Sequence, residues 1–165
     1  MRQASKHSQL QIRVSKAEKH AIRRAAERAG MDMSAYVLAR VLPVAAREFE
    51  TAVKTLSGAE PPSFALAELN SLLSRLTAAE LRDAIAAPPA VELPPFLANY
   101  LAAMVEVACA RRAVPLPAWT RAIAPLGEPA FGSALERLRL YLLTHSPAPF
   151  RRRNIFIDSS LGERV

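Results

Sequence analysis

Six residues near the start of the chain limit its folding options more than any others. Gln9-Leu10-Gln11-Ile12-Arg13-Val14 alternates polar and apolar without a break. A period of two puts Leu10, Ile12 and Val14 on one face of a strand and Gln9, Gln11 and Arg13 on the other. Almost everything downstream reads as helix, because Ala and Leu abound and glycine is scarce. A single strand leaves its ladder groups open and its apolar face uncovered. The smallest remedy is the same strand from a second copy, paired antiparallel about a two-fold axis, with the following helices covering the shared apolar face. A module of roughly 45 residues buries too little core alone, so pairing is obligatory in this reading. The competing reading is an edge strand of a larger α/β fold, with Arg13 guarding the edge. Its only visible mate is the short apolar run near 155–157.

Helix punctuation follows the strand directly. Ser15 with Glu18 three residues on is a capping box. The first helix is predicted to run through Arg28 or Ala29 and stop at Gly30. Ala21, Ile22, Ala25, Ala26 and Ala29 then face inward, while Lys16, Lys19, Arg23 and Arg24 lie outside. Ser34 is the expected N-cap of a second helix, with Tyr36, Val37, Leu38, Val41 and Leu42 as its apolar face. Pro43 must end or kink that helix, since it removes a backbone donor and crowds the preceding turn. A helical pattern resumes through about Leu56. The expected dimer core is Leu10, Ile12, Val14, Ile22, Tyr36, Val37 and Val41.

Charge points to the partner. The formal net charge is +7, and residues 1–30 hold eight Lys/Arg against two Glu, a local excess of +6. An excess so localised suits a polyanion. A two-stranded ribbon fits the major groove of B-DNA, where Arg13 can donate twice to guanine and Gln9 and Gln11 can each bond adenine. Arg2, Lys6 and Lys16 are expected phosphate contacts. So are the backbone N–H groups of Ser34 and Ala35 at the start of the second helix. Such contacts fix position and do not read sequence.

The run Val14-Ser15-x-x-Glu18-Lys19, then Ala29-Gly30, then Ser34-Ala35-Tyr36-Val37, resembles the ribbon-helix-helix family, antitoxins of that fold in particular. The resemblance spans about residues 8–45. Pro43 departs from the usual uninterrupted second helix and leaves its length and exit direction open. The resemblance implies a homodimer that binds double-stranded DNA as an autorepressor and neutralises a toxin protein through its C-terminal part. Accessory factors of plasmid mobilisation or partition also join this fold to a helical tail, and they are the alternative. A third reading is a helical adaptor whose basic N-terminus binds RNA or acidic protein.

The fold class expected is mainly α: a ribbon-helix-helix module over 1–56, a linker over 57–63, an all-helical domain over 64–145 and an extended tail over 146–165. Helices are predicted at about 64–75, 77–86, 95–112, 117–124 and 131–144, with Thr77 and Glu80 as a second capping box. Phe96, Leu97, Tyr100, Leu101, Met104, Val105 and Ala108 form one core-facing stripe, and Leu135, Leu138, Leu142 and Leu143 another. The tail carries Phe150, Arg151, Arg152, Arg153, Ile155, Phe156 and Ile157. An apolar run near a chain end must find cover on its own domain or on a partner. These seven residues are the candidate partner-binding tail, with docking on their own domain as the other open reading, and Ile155 and Ile157 could pair as an added strand. Residues 115–157 also resemble, more weakly, the C-terminal part of antitoxins found beside nucleotidyltransferase-fold toxins. That likeness rests on Pro117-Ala118-Trp119, Leu138-Arg139, Ser146-Pro147 and Phe150 to Ile157, and it implies a protein partner. Trp119 also has a plain role as a core anchor whose N–H must be satisfied.

No chemistry is legible. His7, His20 and His145 are far apart and match no metal spacing. There is no glycine-rich phosphate loop. The one cysteine, Cys109, sits in an apolar run that suits buried packing. No apolar run is long enough to span a bilayer, and the polar N-terminus lacks a signal-peptide core. The expectation is a cytoplasmic protein with no catalytic residue, no cofactor, no metal and no membrane partner.

Overall fold

The computed structural model describes residues 11–41 and 43–158. It is mainly helical and divides into two compact units, Met1–Leu42 and Pro43–Val165.

In the first unit, α1 (Lys16–Arg28) and α2 (Met33–Val41) pack on one another. The capping box forms as expected. Ser15 Oγ accepts from the Glu18 amide at 3.3 Å, and the Ser15 amide donates to Glu18 Oε2 at 2.7 Å. Gly30, at φ +64°, closes α1. Its amide donates to Glu27 O, and the Met31 amide donates to Ala26 O. This six-to-one closure needs a left-handed residue, which glycine adopts at least cost. The strand expected over 9–14 is a different matter. Residues 11–15 have no regular secondary structure, and Ile12 and Val14 are 57% and 42% exposed. Gln9 and Leu10 lie outside the described residues. A strand exists only through its ladder, and this unit has no second extended segment among the described residues to supply one. Ala26 is its one buried apolar residue among those described.

The second unit begins earlier than expected. α3 (Val44–Ser57) does not belong with α1 and α2. It packs on α4 (Ser63–Arg75) and α5 (Ala78–Ala84), with Phe49, Val53, Leu56, Leu69, Leu73 and Leu81 buried between them. The expected linker at 57–63 is therefore a tight connection between two packed helices. Pro43 sets this division: it stops α2 and starts α3, whose apolar positions 45, 49, 53 and 56 follow helical spacing. The Thr77–Glu80 capping box starts α5.

α6 (Pro95–Arg112) is the centre of this unit. Its segment from Leu101 to Val105 is entirely buried, as for a helix packed on several sides. Trp119, in α7 (Ala118–Ala122), anchors to the core and donates its indole N–H to Ile85 O at 3.0 Å. The helix expected over 131–144 is replaced by three pieces: β1 (Ala130–Phe131), a 3-10 turn at Glu136–Leu138, and α8 (Arg139–His145). Its leucines are not the inward stripe expected. Leu142 is buried, but Leu135, Leu138 and Leu143 are exposed, and Leu140 is 74% exposed.

The extended tail also needs correction. Residues 148–151 form a helical turn, α9 (Ala148–Arg151), and β2 (Ile155–Phe156) pairs parallel with β1. Phe150 meets Tyr100 edge-on at 5.0 Å, and Phe156 stacks on Phe131 at 5.1 Å. Ser146 Oγ lies within hydrogen-bond distance of both Leu142 O and Ile157 O.

Candidate nucleic-acid interface

Gln11, Arg13 and Lys16 are exposed, and Arg13 and Lys16 have no ion-pair partner among the described residues. Arg2, Lys6 and Gln9 lie outside the described residues. Of the expected dimer core, Ile22, Tyr36 and Val37 are half-buried, whereas Ile12, Val14 and Val41 are exposed. Leu38 and Met31 are exposed as well, so the unit presents apolar side chains that its own helices do not cover. The Arg40 guanidinium lies over the Tyr36 ring, 5.4 Å from its centroid.

The start of α2 overturns one expectation. Ser34 is not the cap, and its amide and that of Ala35 are not free for a phosphate. Asp32 Oδ1 accepts from both, at 2.8 and 3.0 Å, and Asp32 O accepts the first helical bond from Tyr36. An Asp two residues before Ser34 is an equally good capping residue and carries a full charge to complement the helix end. A phosphate arriving there would lose the donors and meet a carboxylate.

α1 carries the cationic surface. Lys16, Lys19, His20, Arg23, Arg24 and Arg28 are all exposed. Glu18 is held by the cap, and the hydrogen bond from the Ser15 amide keeps its carboxyl below the usual range and so ionised. By the helical period it lies about 160° round α1 from Lys16 and about 140° from Arg23, away from the side those two cations share.

The residues assigned to a partner-binding tail are mostly spent within the second unit. Phe150, Arg153, Ile155 and Phe156 are buried, Ile157 is half-buried, and only Arg151 and Arg152 are exposed. Arg153 Nη2 donates to Glu106 Oε1 at 2.6 Å and to Thr120 O at 2.7 Å, and Nη1 donates to Asn99 Oδ1 at 3.1 Å. A buried guanidinium needs such partners, and α6 and α7 provide them. Sequence reasoning missed Glu106 and Asn99, which sit among apolar residues on α6. Polar residues inside a buried helix were the available signal.

Among the described residues no cluster of His, Cys, Asp or Glu could hold a metal ion, and no helix is long and apolar enough to cross a membrane. His145 stacks on Tyr141 with ring centroids 4.1 Å apart.

The first unit therefore combines an uncovered alternating segment, a capped basic helix, a left-handed glycine turn and a second helix with an open apolar side. That layout is a capped helix pair preceded by an alternating segment that the helices leave uncovered. Residues 4–79 match the NikA-like family, described as mobilization protein NikA, a ribbon-helix-helix-type DNA-binding protein. The match covers less than half of the 165 residues and runs past α2 through α3 and α4. No curated protein and no solved structure matches the chain. The antitoxin likeness drawn from residues 8–45 and 115–157 finds no support in these comparisons.

Proposed function

We propose that this chain is a duplex-DNA-binding accessory protein of plasmid mobilisation, acting as a homodimer. Two copies pair residues 9–14 into an antiparallel ribbon. Leu10, Ile12 and Val14 turn inward against Ile22, Tyr36, Val37 and Val41, while Gln9, Gln11 and Arg13 enter the major groove. Arg2, Lys6 and Lys16 reach phosphates. The observation that carries this reading is the match of residues 4–79 to the mobilisation-protein family. The exposure of Ile12, Val14 and Val41 supports it, because apolar groups on a unit with so little core call for cover from another copy.

Mobilisation is preferred to toxin neutralisation on two grounds. The matched family is of the former kind, and most of the tail residues that would have met a toxin are buried in their own unit. The test is selection of a preferred duplex by the full chain, followed by Arg13→Ala. The variant is expected to remain dimeric by sedimentation and lose its preference between selected and scrambled duplexes. A single good bidentate contact discriminates by about 1–3 kcal/mol, and each dimer loses two. Retained preference, or a chain that sediments as a monomer at micromolar concentration, would refute the reading.

A further inference from the structure

Asp32 occupies the Ser34 and Ala35 amides at the start of α2, so a phosphate would need another seat on the first unit. We infer that the outer face of α1, through the file Lys16, Lys19 and Arg23, lies along consecutive phosphates of the bound duplex, outside the groove that the ribbon reads. This rests on the reading of the first unit as a duplex-DNA binder and adds residues to it.

Three observations carry the inference. The file is regular: steps of three and then four residues bring successive cations onto one face of a helix. At 1.5 Å per residue, Lys16 to Arg23 spans about 10 Å along α1, close to three steps of the axial rise of one DNA strand at about 3.4 Å each, a run bounded by about four phosphates. The file is also open. All three side chains are exposed, and none has an ion-pair partner among the described residues. Glu27 lies one turn beyond Arg23 and bounds the file at that end, while Glu18 is committed to the cap on the other side. Finally, the usual competitor is excluded. The N-terminus of α2 would ordinarily take a phosphate, but its Ser34 and Ala35 amides are bonded to the Asp32 carboxylate. A surface cation file is most often merely solvated, so the distinguishing property is counterion release on binding duplex DNA.

The test compares the full chain with Lys19→Gln/Arg23→Gln, by fluorescence anisotropy on a 30-bp duplex carrying the selected site across a salt series. Each phosphate neutralised contributes about 0.9 to the slope of log affinity against log salt. Loss of two cations per chain in a dimer should therefore flatten the slope by between roughly three and four. Preference between selected and scrambled duplexes should be unchanged, the opposite of Arg13→Ala. A control that removes two exposed cations from the second unit, Arg82→Gln/Arg121→Gln, should leave the slope as it was. An unchanged slope in the α1 variant, or an equal flattening in the control, overturns the inference while the ribbon reading stands. Absence of any duplex binding by the native chain overturns the ribbon reading itself. Circular dichroism melts of both variants should match the native chain, since every altered side chain is exposed.

Discussion

Replacing Arg153 by Met should destabilise the second unit by about 3–5 kcal/mol, because it strands a buried carboxylate. Arg153 and Glu106 are 5% and 7% exposed, and their charged groups meet at 2.6 Å. At an effective dielectric of about 20, the Coulomb attraction at that distance is roughly 6 kcal/mol. Desolvation of both ions offsets most of it in the intact pair. The variant loses the attraction while Glu106 stays buried, and Asn99 Oδ1 and Thr120 O lose their donor too. Urea unfolding followed by circular dichroism measures the difference. Arg153→Met/Glu106→Gln removes the stranded charge and should recover at least half of the loss. Arg153→Lys, which keeps the charge but not the forked donors, should fall between the native chain and Arg153→Met. A loss below about 1 kcal/mol in Arg153→Met, with no recovery in the double variant, would mean that Arg153 is not held in the unit. The tail would then be free for a partner after all.

Burial, and secondarily the negative charge of Glu106, pushes the Cys109 thiol above its ordinary value, and burial does the same to the Tyr100 phenol. Both groups bind protons more tightly when folded, so their contribution is complete at neutral pH and is lost as pH rises. Stability of the second unit should decline above about pH 9, the ordinary thiol range, as read from urea midpoints. N-ethylmaleimide at pH 7 should label Cys109 in urea but not in the native chain, and stoichiometric native labelling would contradict its burial. Trp119→Phe leaves Ile85 O without its indole donor and should cost about 1 kcal/mol beyond the change in packing, measured in the same way.

Much of the local structure was legible because each signal is decided within a few residues. Ser15 with Glu18, Thr77 with Glu80, Gly30 and Pro43 act through their own backbone neighbours, and the structure has them where the sequence puts them. What misled was competition between equal signals and the reach of tertiary contacts. Ser34 and Asp32 are both capping residues, and the charged one took the amides of α2. The leucines from 135 to 143 fit a helical stripe. Yet the stretch begins beside Gly132, where a Cβ would lie 3.0 Å from Ile157 Cγ2, so β1 packs closely against the chain around β2 instead of coiling. The burial of Arg153 was not legible at all, since its partners lie on α6 and α7, and an arginine triplet ordinarily signals a solvated face.

The strand is the instructive difference. Alternation along Gln11 to Val14 is a statement about two environments, and in the described chain both faces meet solvent. Pairing would satisfy backbone donors and acceptors and bury Ile12 and Val14 in the same step. The groove-facing register of Gln11 and Arg13 would then exist only in the dimer. Reading of bases is in that case thermodynamically linked to self-association. On the proposed reading, duplex DNA would stabilise the dimer by mass action, and the apparent affinity for DNA would weaken as the protein is diluted below its dimer dissociation constant. The cations of α1 are different. Their helix is closed by a cap formed within its own residues, so their spacing along α1 does not depend on the ribbon register. Salt dependence and sequence preference should therefore respond to different substitutions, Lys19→Gln/Arg23→Gln for the one and Arg13→Ala for the other.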